Sequence, residues 1–418
     1  MGQVNVSPIR AADPASGLGW TLQARRWVGQ RGRGMSQTTT QSFMATAKRA
    51  KKDEFYTQWA DIEREMNAYL EYDPDVFREK VILLPCDDPE WSNFTKFFAL
   101  HFMDFGIKKL ISTSFAADSK PGVDYQPTHF EADSSQFDDT KTRSKGKLFA
   151  LEAKDINGDG VIDIDDLQWE YLDGTGDFKS AEVTALRDES DIIITNPPFS
   201  LWREFFVWLI ESGNRFAIIG NQNAITYRDV FHHIRDNRVW LGKGFPRNMA
   251  HFNTPYAPQS KWIEQEGDDV VRVPGVQWFT NIEHGRRHEP MHLMTMADNL
   301  KFNKKLIKKL DGGTEYYQYD NFDATEVPFT DAIPSDCDGV MGVPITWLSK
   351  YNPEQFEIVG TNRFTTPHGM SQKFVDDYYA SGQRGQISEG HPDLCYYDFR
   401  GRPVVTYDRI LIRPRTDS

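Results

Sequence analysis

In this 418-residue chain, the residues best arranged for chemistry are Asn196-Pro197-Pro198-Phe199, which follow the apolar run Asp191-Ile-Ile-Ile-Thr195. Two consecutive prolines fix φ and remove two N–H donors, so the chain leaves the run in a rigid turn. In that turn the Asn196 carboxamide oxygen and the Pro197 carbonyl can serve as paired acceptors for both hydrogens of one amino group. Phe199 offers a flat face on which a planar base can stack. The plainer reading of the same residues is a strand exit with a core phenylalanine. Taken alone, the turn admits chemistry on adenine N6, cytosine N4 or a protein glutamine amide.

Other clusters are weaker. Asp155 to Asp166 has the oxygen ligands and Gly160 of a calcium loop, but an Asp at its last position and strand-like flanks suit an Asx-rich hairpin turn better. No metal is assigned. Glu152-Ala-Lys154 matches a nuclease triplet that is common by chance. In His284-Gly-Arg-Arg-His-Glu-Pro290, the adjacent Arg286 and Arg287 can take phosphate oxygens or a guanine edge. Lysines at 301, 304, 305, 308 and 309 give one basic helix face, suited to a nucleic-acid backbone or simply to solvent.

A strand–helix alternation has to position the turn. Val81–Leu84 reads as a strand, Phe94–Phe105 as a helix and Lys109–Phe115 as a strand. Beyond an acidic insertion (about 117–165), Leu167–Leu172 is extended, Glu182–Arg187 helical and Asp191–Thr195 a strand. Helices over Leu201–Ser212 and Asp229–Asp236 then alternate with strands over Phe216–Asn221 and Arg238–Leu241. This predicts an α/β fold with a largely parallel sheet. Ligands bind outside the carboxyl ends of such strands, which directs attention to the loops at Pro85, Ser114, Asp177 and Asn196.

Composition narrows the class. Hydrophobic residues make up 39% and charged residues 26%, as in an ordinary globular protein. No apolar run approaches a membrane span. Three cysteines without CxxC spacing argue against a disulfide scaffold or a cysteine-built zinc site and suit a reducing cytoplasm. The net charge of −13 is uneven: nine bases and three acids give +6 over residues 1–60, and seven bases against two acids give +5 over 284–309. Local patches, not the sum, attract phosphate. Residues 1–44 read as a disordered basic tail without a secretory apolar stretch, with Met35 an alternative start.

The wider pattern is similar to the EcoRI-type DNA adenine methylase family. It is carried by the Asn-Pro-Pro-Phe turn, by Val81-Ile-Leu-Leu-Pro-Cys-Asp-Asp-Pro-Glu-Trp-Ser-Asn-Phe94, and by Gly220-Asn-Gln-Asn-Ala-Ile-Thr-Tyr227. Val276-Gln-Trp-Phe-Thr-Asn281, the arginine loop and Gly342-Val-Pro-Ile-Thr346 extend it, so that it covers roughly residues 45–415. The resemblance implies a Rossmann-like S-adenosylmethionine-dependent methyltransferase sheet with a C-terminal DNA-recognition region. It implies a catalytic domain over 45–295, target recognition over 296–418, and methyl transfer to adenine N6 in duplex DNA. Duplex DNA is then a partner, and a cognate restriction endonuclease a candidate one.

By the same resemblance, Phe55, Tyr56 and Thr57 form an N-terminal cofactor motif. Pro85, Cys86, Asp87, Asn93 and Phe94 belong to the methionine and ribose cradle. Asp177 accepts from the cofactor's adenine amino group, and Phe178 walls it. The cradle departs from the general pattern in having Ser92-Asn93-Phe94 where Gly-x-Phe is usual, and no acid follows the second strand. A DNA-binding protein that keeps this fold without turnover is the alternative from another class.

Overall fold

Val81-Ile-Leu-Leu84 and Ile192-Ile-Ile-Thr195 are apolar on both faces, and nearly every residue of each is buried. That is the mark of strands at the centre of a sheet covered on both sides. The computed structural model describes residues 56–88, 92–116, 134, 136–253, 270–364 and 369–415. Strand β1 (Tyr56–Thr57) and helix α1 (Trp59–Tyr72) lead into β2 (Val81–Leu84), α2 (Asn93–Leu100) and β3 (Lys109–Ser114). A short α3 (Asp139–Ser144) precedes β4 (Lys147–Glu152) and β5 (Gln168–Tyr171). Then follow α4 (Ala181–Glu189), β6 (Ile192–Thr195), α5 (Trp202–Ser212), β7 (Arg215–Asn221) and α6 (Arg228–Arg235). Next come β8 (Trp240–Leu241), β9 (Met249–Asn253), β10 (Val270–Pro274) and β11 (Val276–Thr280). The rest comprises α7 (Met296–Phe302), α8 (Lys304–Leu310), β12 (Thr325–Glu326), β13 (Met341–Pro344), β14 (Phe356–Thr361), α9 (Gln372–Ala380), β15 (Cys395–Tyr397), β16 (Pro403–Val405) and β17 (Arg409–Pro414).

The main sheet has the order β5-β4-β3-β2-β6-β7-β11-β8. Its central strands β3, β2, β6 and β7 are parallel, while β4, β5 and β11 pair antiparallel with their neighbours. The parallel arrangement expected is therefore confined to the centre. After β3 the chain crosses back to lay β6 on the other side of β2, which makes β2/β6 the topological switch point.

Side chains alternate between the two faces. Leu83, Ile111, Ile193 and Ile218 belong to one core, and Ile82, Leu84, Leu110, Ile192, Ile194 and Ile219 to the other. The first core runs without a break into Met341, Val343, Ile358, Ile410 and Ile412 of the C-terminal sheet β12-β13-β17-β14. A third sheet, β1-β9-β10, is antiparallel throughout.

Helix α5 buries Trp202, Phe205, Phe206 and Leu209 along one face and ends at Gly213, whose φ of 73° suits a left-handed cap. Trp202 Nε1 donates to Ile219 O at 2.8 Å, and a Cβ on Gly220 would lie 2.4 Å from that nitrogen. Only glycine lets the indole approach the strand so closely.

The lysine-rich segment departs from expectation. It forms two helices, because Asn303 ends α7 and caps α8 by accepting from Lys305 N and Leu306 N. Leu306 and Leu310 are buried in the first core. Among the described residues, no helix is long and apolar enough to cross a membrane.

Candidate active site

The loop after β2 and the turn after β6 meet at the switch point. Asp87 is the hub. Its Oδ1 accepts from Ser92 Oγ at 2.7 Å, and its Oδ2 lies 2.6 Å from Thr195 Oγ1, the last side chain of β6. Thr195 Oγ1 also contacts Pro85 O at 2.6 Å. The Asp87 carbonyl accepts from Thr95 Oγ1 at 3.2 Å and from Ser112 Oγ of β3. Burial pushes the Asp87 carboxyl up to about 7, against the opposing bonds from Thr195 and Ser92.

Ser92 caps α2 by accepting from Phe94 N at 3.1 Å. Cys86, at the bend, adopts φ 69°, a left-handed conformation that usually calls for glycine. The absence of glycine from this loop is thus made good by a strained cysteine.

The first site strand comes from far away in sequence. Thr57 pairs with Phe252 of β9, and Asn93 Nδ2 donates to Thr57 O at 2.8 Å. Phe252 in turn meets Phe199 edge to face, with centroids 6.1 Å apart. Tyr56, Thr57, Asn93, Phe199 and the β2 loop therefore share one end of the sheet. Phe55 lies outside the described residues. Thr57 Oγ1 is buried and has no hydrogen-bond partner among the described residues, so a polar acceptor or donor at this end would satisfy it.

Asp177 is delivered by a loop pressed onto the end of β3. Ala116 N donates to Thr175 O at 2.8 Å, and a Cβ on Gly176 (φ 82°) would fall 2.2 Å from Ser114 O. Asp177 is half-buried and accepts from Lys179 N at 2.9 Å. The rings of Phe94 and Phe178 turn the other way. Phe94 packs on Trp278 and Phe178 on Phe205 and Trp208, both inside the cores. Their contribution at this edge is to anchor backbone rather than to line a surface.

In the turn itself, Pro197 is buried and Asn196, Pro198 and Phe199 are half-buried. The Asn196 Oδ1 atom is buried, and Leu201 N donates to Pro198 O at 2.9 Å, closing the turn onto α5. Sequence reasoning missed Thr195 and Phe252. A hydroxyl ending three isoleucines was the available signal for the first. The second had none, since β9 is short and lies far downstream of Phe199.

The arginine loop differs from its expectation. It leaves β11 at the amino ends of the parallel strands and folds along the outer edge of β8, where the His284 ring bonds Leu241 O at 3.0 Å. That edge lies three strand spacings from β6, roughly 14 Å across the sheet. Arg287 is only 4% exposed; its guanidinium stacks over Trp240 at 3.7 Å and bonds Glu283 and Asn237. Arg286 donates to Lys243 O at 2.6 Å. Two free adjacent cations are not what this loop presents, because burying Arg287 required partners within the chain.

In the acidic loop, Asp166 accepts from the Ile156, Asn157 and Asp163 amides, and Asp155 from those of Gly158 and Gly160. Its carboxylates thus close the turn.

The model of the family described as adenine-specific methyltransferase EcoRI matches residues 43–415. The chain is 37% identical over 330 residues to the type II methyltransferase M.EcoRI of Escherichia coli, covering 78% of this chain and 90% of that one. It is 31% identical over 348 residues to the type II methyltransferase M.MpnI of Mycoplasma pneumoniae, covering 82% and 92%. A type II methyltransferase of Mycoplasma genitalium, M.MgeORF184P, is 32% identical over 319 residues, covering 75% and 84%. No solved structure matches.

Proposed function

The chain belongs to the EcoRI family of adenine-specific methyltransferases, and from that premise we propose that it transfers a methyl group from S-adenosylmethionine to N6 of an adenine within a specific site in duplex DNA. The observation that carries this reading is the meeting of the Asn196 turn and the β2 loop at the switch point, joined through Thr195 and Asp87.

In this reading Tyr56, Thr57, the Pro85–Asp87 loop and Asp177 would hold the donor, which the buried Thr57 hydroxyl supports as a group able to bond a polar ligand. What S-adenosylmethionine supplies when bound is a methyl group activated by a sulfonium. The chain's own residues act on the acceptor. An adenine in a duplex must be turned out of the stack, at a cost of a few kcal/mol. Stacking on Phe199 returns roughly 1–3 kcal/mol. Asn196 Oδ1 and Pro197 O accept the two N6 hydrogens, which favours a tetrahedral nitrogen and stabilises the charge developing on it.

Carbon-5 methylation of cytosine needs a thiolate nucleophile. Cys337 and Cys395 are buried, and burial pushes the Cys395 thiol up to about 12. Cys86 sits in the donor loop. In this reading residues 45–295 carry the chemistry, 296–418 read the target, and a restriction endonuclease of the same specificity is the counterpart.

Nucleoside mass spectrometry of DNA treated with the protein and labelled S-adenosylmethionine tests the proposal. Label in N6-methyladenine is expected. Label in N4-methylcytosine or 5-methylcytosine instead, or no label in the DNA, would overturn it.

A further inference from the structure

Thr195 Oγ1 carries one hydrogen yet lies 2.6 Å from two oxygens, Pro85 O and Asp87 Oδ2. A carbonyl only accepts. One hydrogen shared between both oxygens would make each bond weak, whereas two full hydrogen bonds of this length form when Thr195 donates to Pro85 O and a protonated Asp87 donates to Thr195. The other carboxyl oxygen agrees with this order. Ser92 Oγ has the Phe94 amide behind it at 3.1 Å and so directs its own hydrogen to Asp87 Oδ1 at 2.7 Å.

The surroundings favour the neutral acid. The N-cap of α2 brings Ser92 and β6 brings Thr195 to the carboxyl, hydroxyls that carry no counter-charge, while Thr95 and Ser112 donate to the Asp87 backbone carbonyl. The charged neighbour among the described residues is Asp88, of the same sign as an ionised Asp87. Burial, the largest cause, and Asp88, the smallest, push this carboxyl upward, and against the lowering effect of the Thr195 and Ser92 bonds it still comes to about 7.

We propose that Asp87 is a positioning residue, a protonated carboxyl that ties the donor loop to the catalytic turn through Thr195. Pro85, at one end of this chain of bonds, opens the loop. Asn196, at the other, follows Thr195 directly, its Cα about 3.8 Å further on. Loop and turn therefore shift together, so that seating the donor sets where the target amino group is held. This rests on the functional reading above.

The test uses the full-length protein and S-adenosylmethionine. Wild type, Asp87→Asn, Asp87→Ala, Thr195→Val and Thr195→Ser are compared by single-turnover rate, donor affinity and thermal midpoint across pH. An asparagine can donate to Thr195 and accept from Ser92, as the protonated acid does. Asp87→Asn should recover most of the rate that Asp87→Ala loses, and Thr195→Ser most of what Thr195→Val loses, each loss being tenfold or more.

The pH dependence has a definite sign. A carboxyl raised above 3.8 on folding contributes stability that is full below 3.8 and lost as pH rises through about 7. Between pH 4.5 and 8, the midpoint of Asp87→Asn without donor or DNA should therefore gain on that of wild type. The wild-type rate should fall on the alkaline side, and the asparagine variant's should not.

Equal pH profiles for the two proteins, or an asparagine variant as impaired as the alanine one, would overturn the proposal. Should Asp87→Ala or Thr195→Val not fold, the asparagine comparison still decides. Failure of the functional reading looks different: wild type would put no label into adenine, while the midpoint series would still report the proton.

Discussion

Glu326 and Asp87 both bury a carboxyl group, one in the C-terminal sheet and one at the donor edge, and their surroundings differ in kind. Glu326 faces a cation. Arg409 Nη2 and Nε donate to it at 2.6 and 3.0 Å, and Tyr319 adds a hydroxyl. The Asp87 carboxyl is bonded by the hydroxyls of Ser92 and Thr195 and, among the described residues, has a like-charged neighbour in Asp88 and no cation beside it. The cation matches the desolvated charge of Glu326 and fixes β12 against β17, whereas hydroxyls leave Asp87 sensitive to a single proton. The same contrast separates the residues that hold this molecule together from those that act. Arg287, buried over Trp240, belongs with Glu326; Asn196 belongs with Asp87.

The sharpest break should come at Glu326. Glu326→Ala leaves Arg409 buried without its counter-charge, which should cost about 3–5 kcal/mol in urea unfolding. Donor affinity of the remaining folded protein should not change. A loss below about 1 kcal/mol would erase the distinction drawn here.

Asn196→Ala should do the reverse. The methyl-transfer rate should fall about 10²–10³-fold, with the thermal midpoint unmoved and donor affinity within a few-fold. Retention of more than half the wild-type turnover would remove Asn196 from its role.

Arg287→Ala comes next, because it loses a cation–π stack and the bonds to Asn237 and Glu283, although Glu283 keeps its contact with His288 at 2.8 Å. About 1–3 kcal/mol of stability should go, while the salt dependence of DNA binding stays as in wild type. A salt slope reduced by about one unit would instead mark it as a phosphate contact.

The smallest effect is expected at Cys86. Glycine adopts φ 69° freely, so Cys86→Gly should stay within about 1 kcal/mol of wild type, whereas Cys86→Val should cost more. Thermal midpoints and donor affinities of the two variants check this, and equal behaviour of glycine and valine would count against strain at the bend.

These outcomes bear on what the sequence could tell. The Asn196 turn was legible because its cause is local: an apolar strand, two prolines and an aromatic ring within ten residues. The strands at the switch point were legible for the same reason, as short buried runs. The partnership of Asp87 with Thr195 was not, since it spans 108 residues and depends on which strand lies beside β2. Arg287 misled because an Arg-Arg pair looks alike whether it faces solvent or an indole 47 positions away. In the lysine segment, side-chain spacing suggested one helix, and only the capping habit of Asn303 could have divided it.

The unbroken core under the main and C-terminal sheets has a consequence for how such enzymes acquire new specificities. Leu83, Ile193 and Ile218 share a packed interior with Met341, Ile358 and Ile412. Recombination between relatives at residues 295/296 would join two half-cores shaped by different histories, and mismatched interiors lose packing that single substitutions already feel. A chimera made there should melt well below both parents, whereas exchanging surface loops should not. Evolution of the recognised site in this lineage would then proceed by loop replacement on a shared interior held as one unit, not by the shuffling of exchangeable modules.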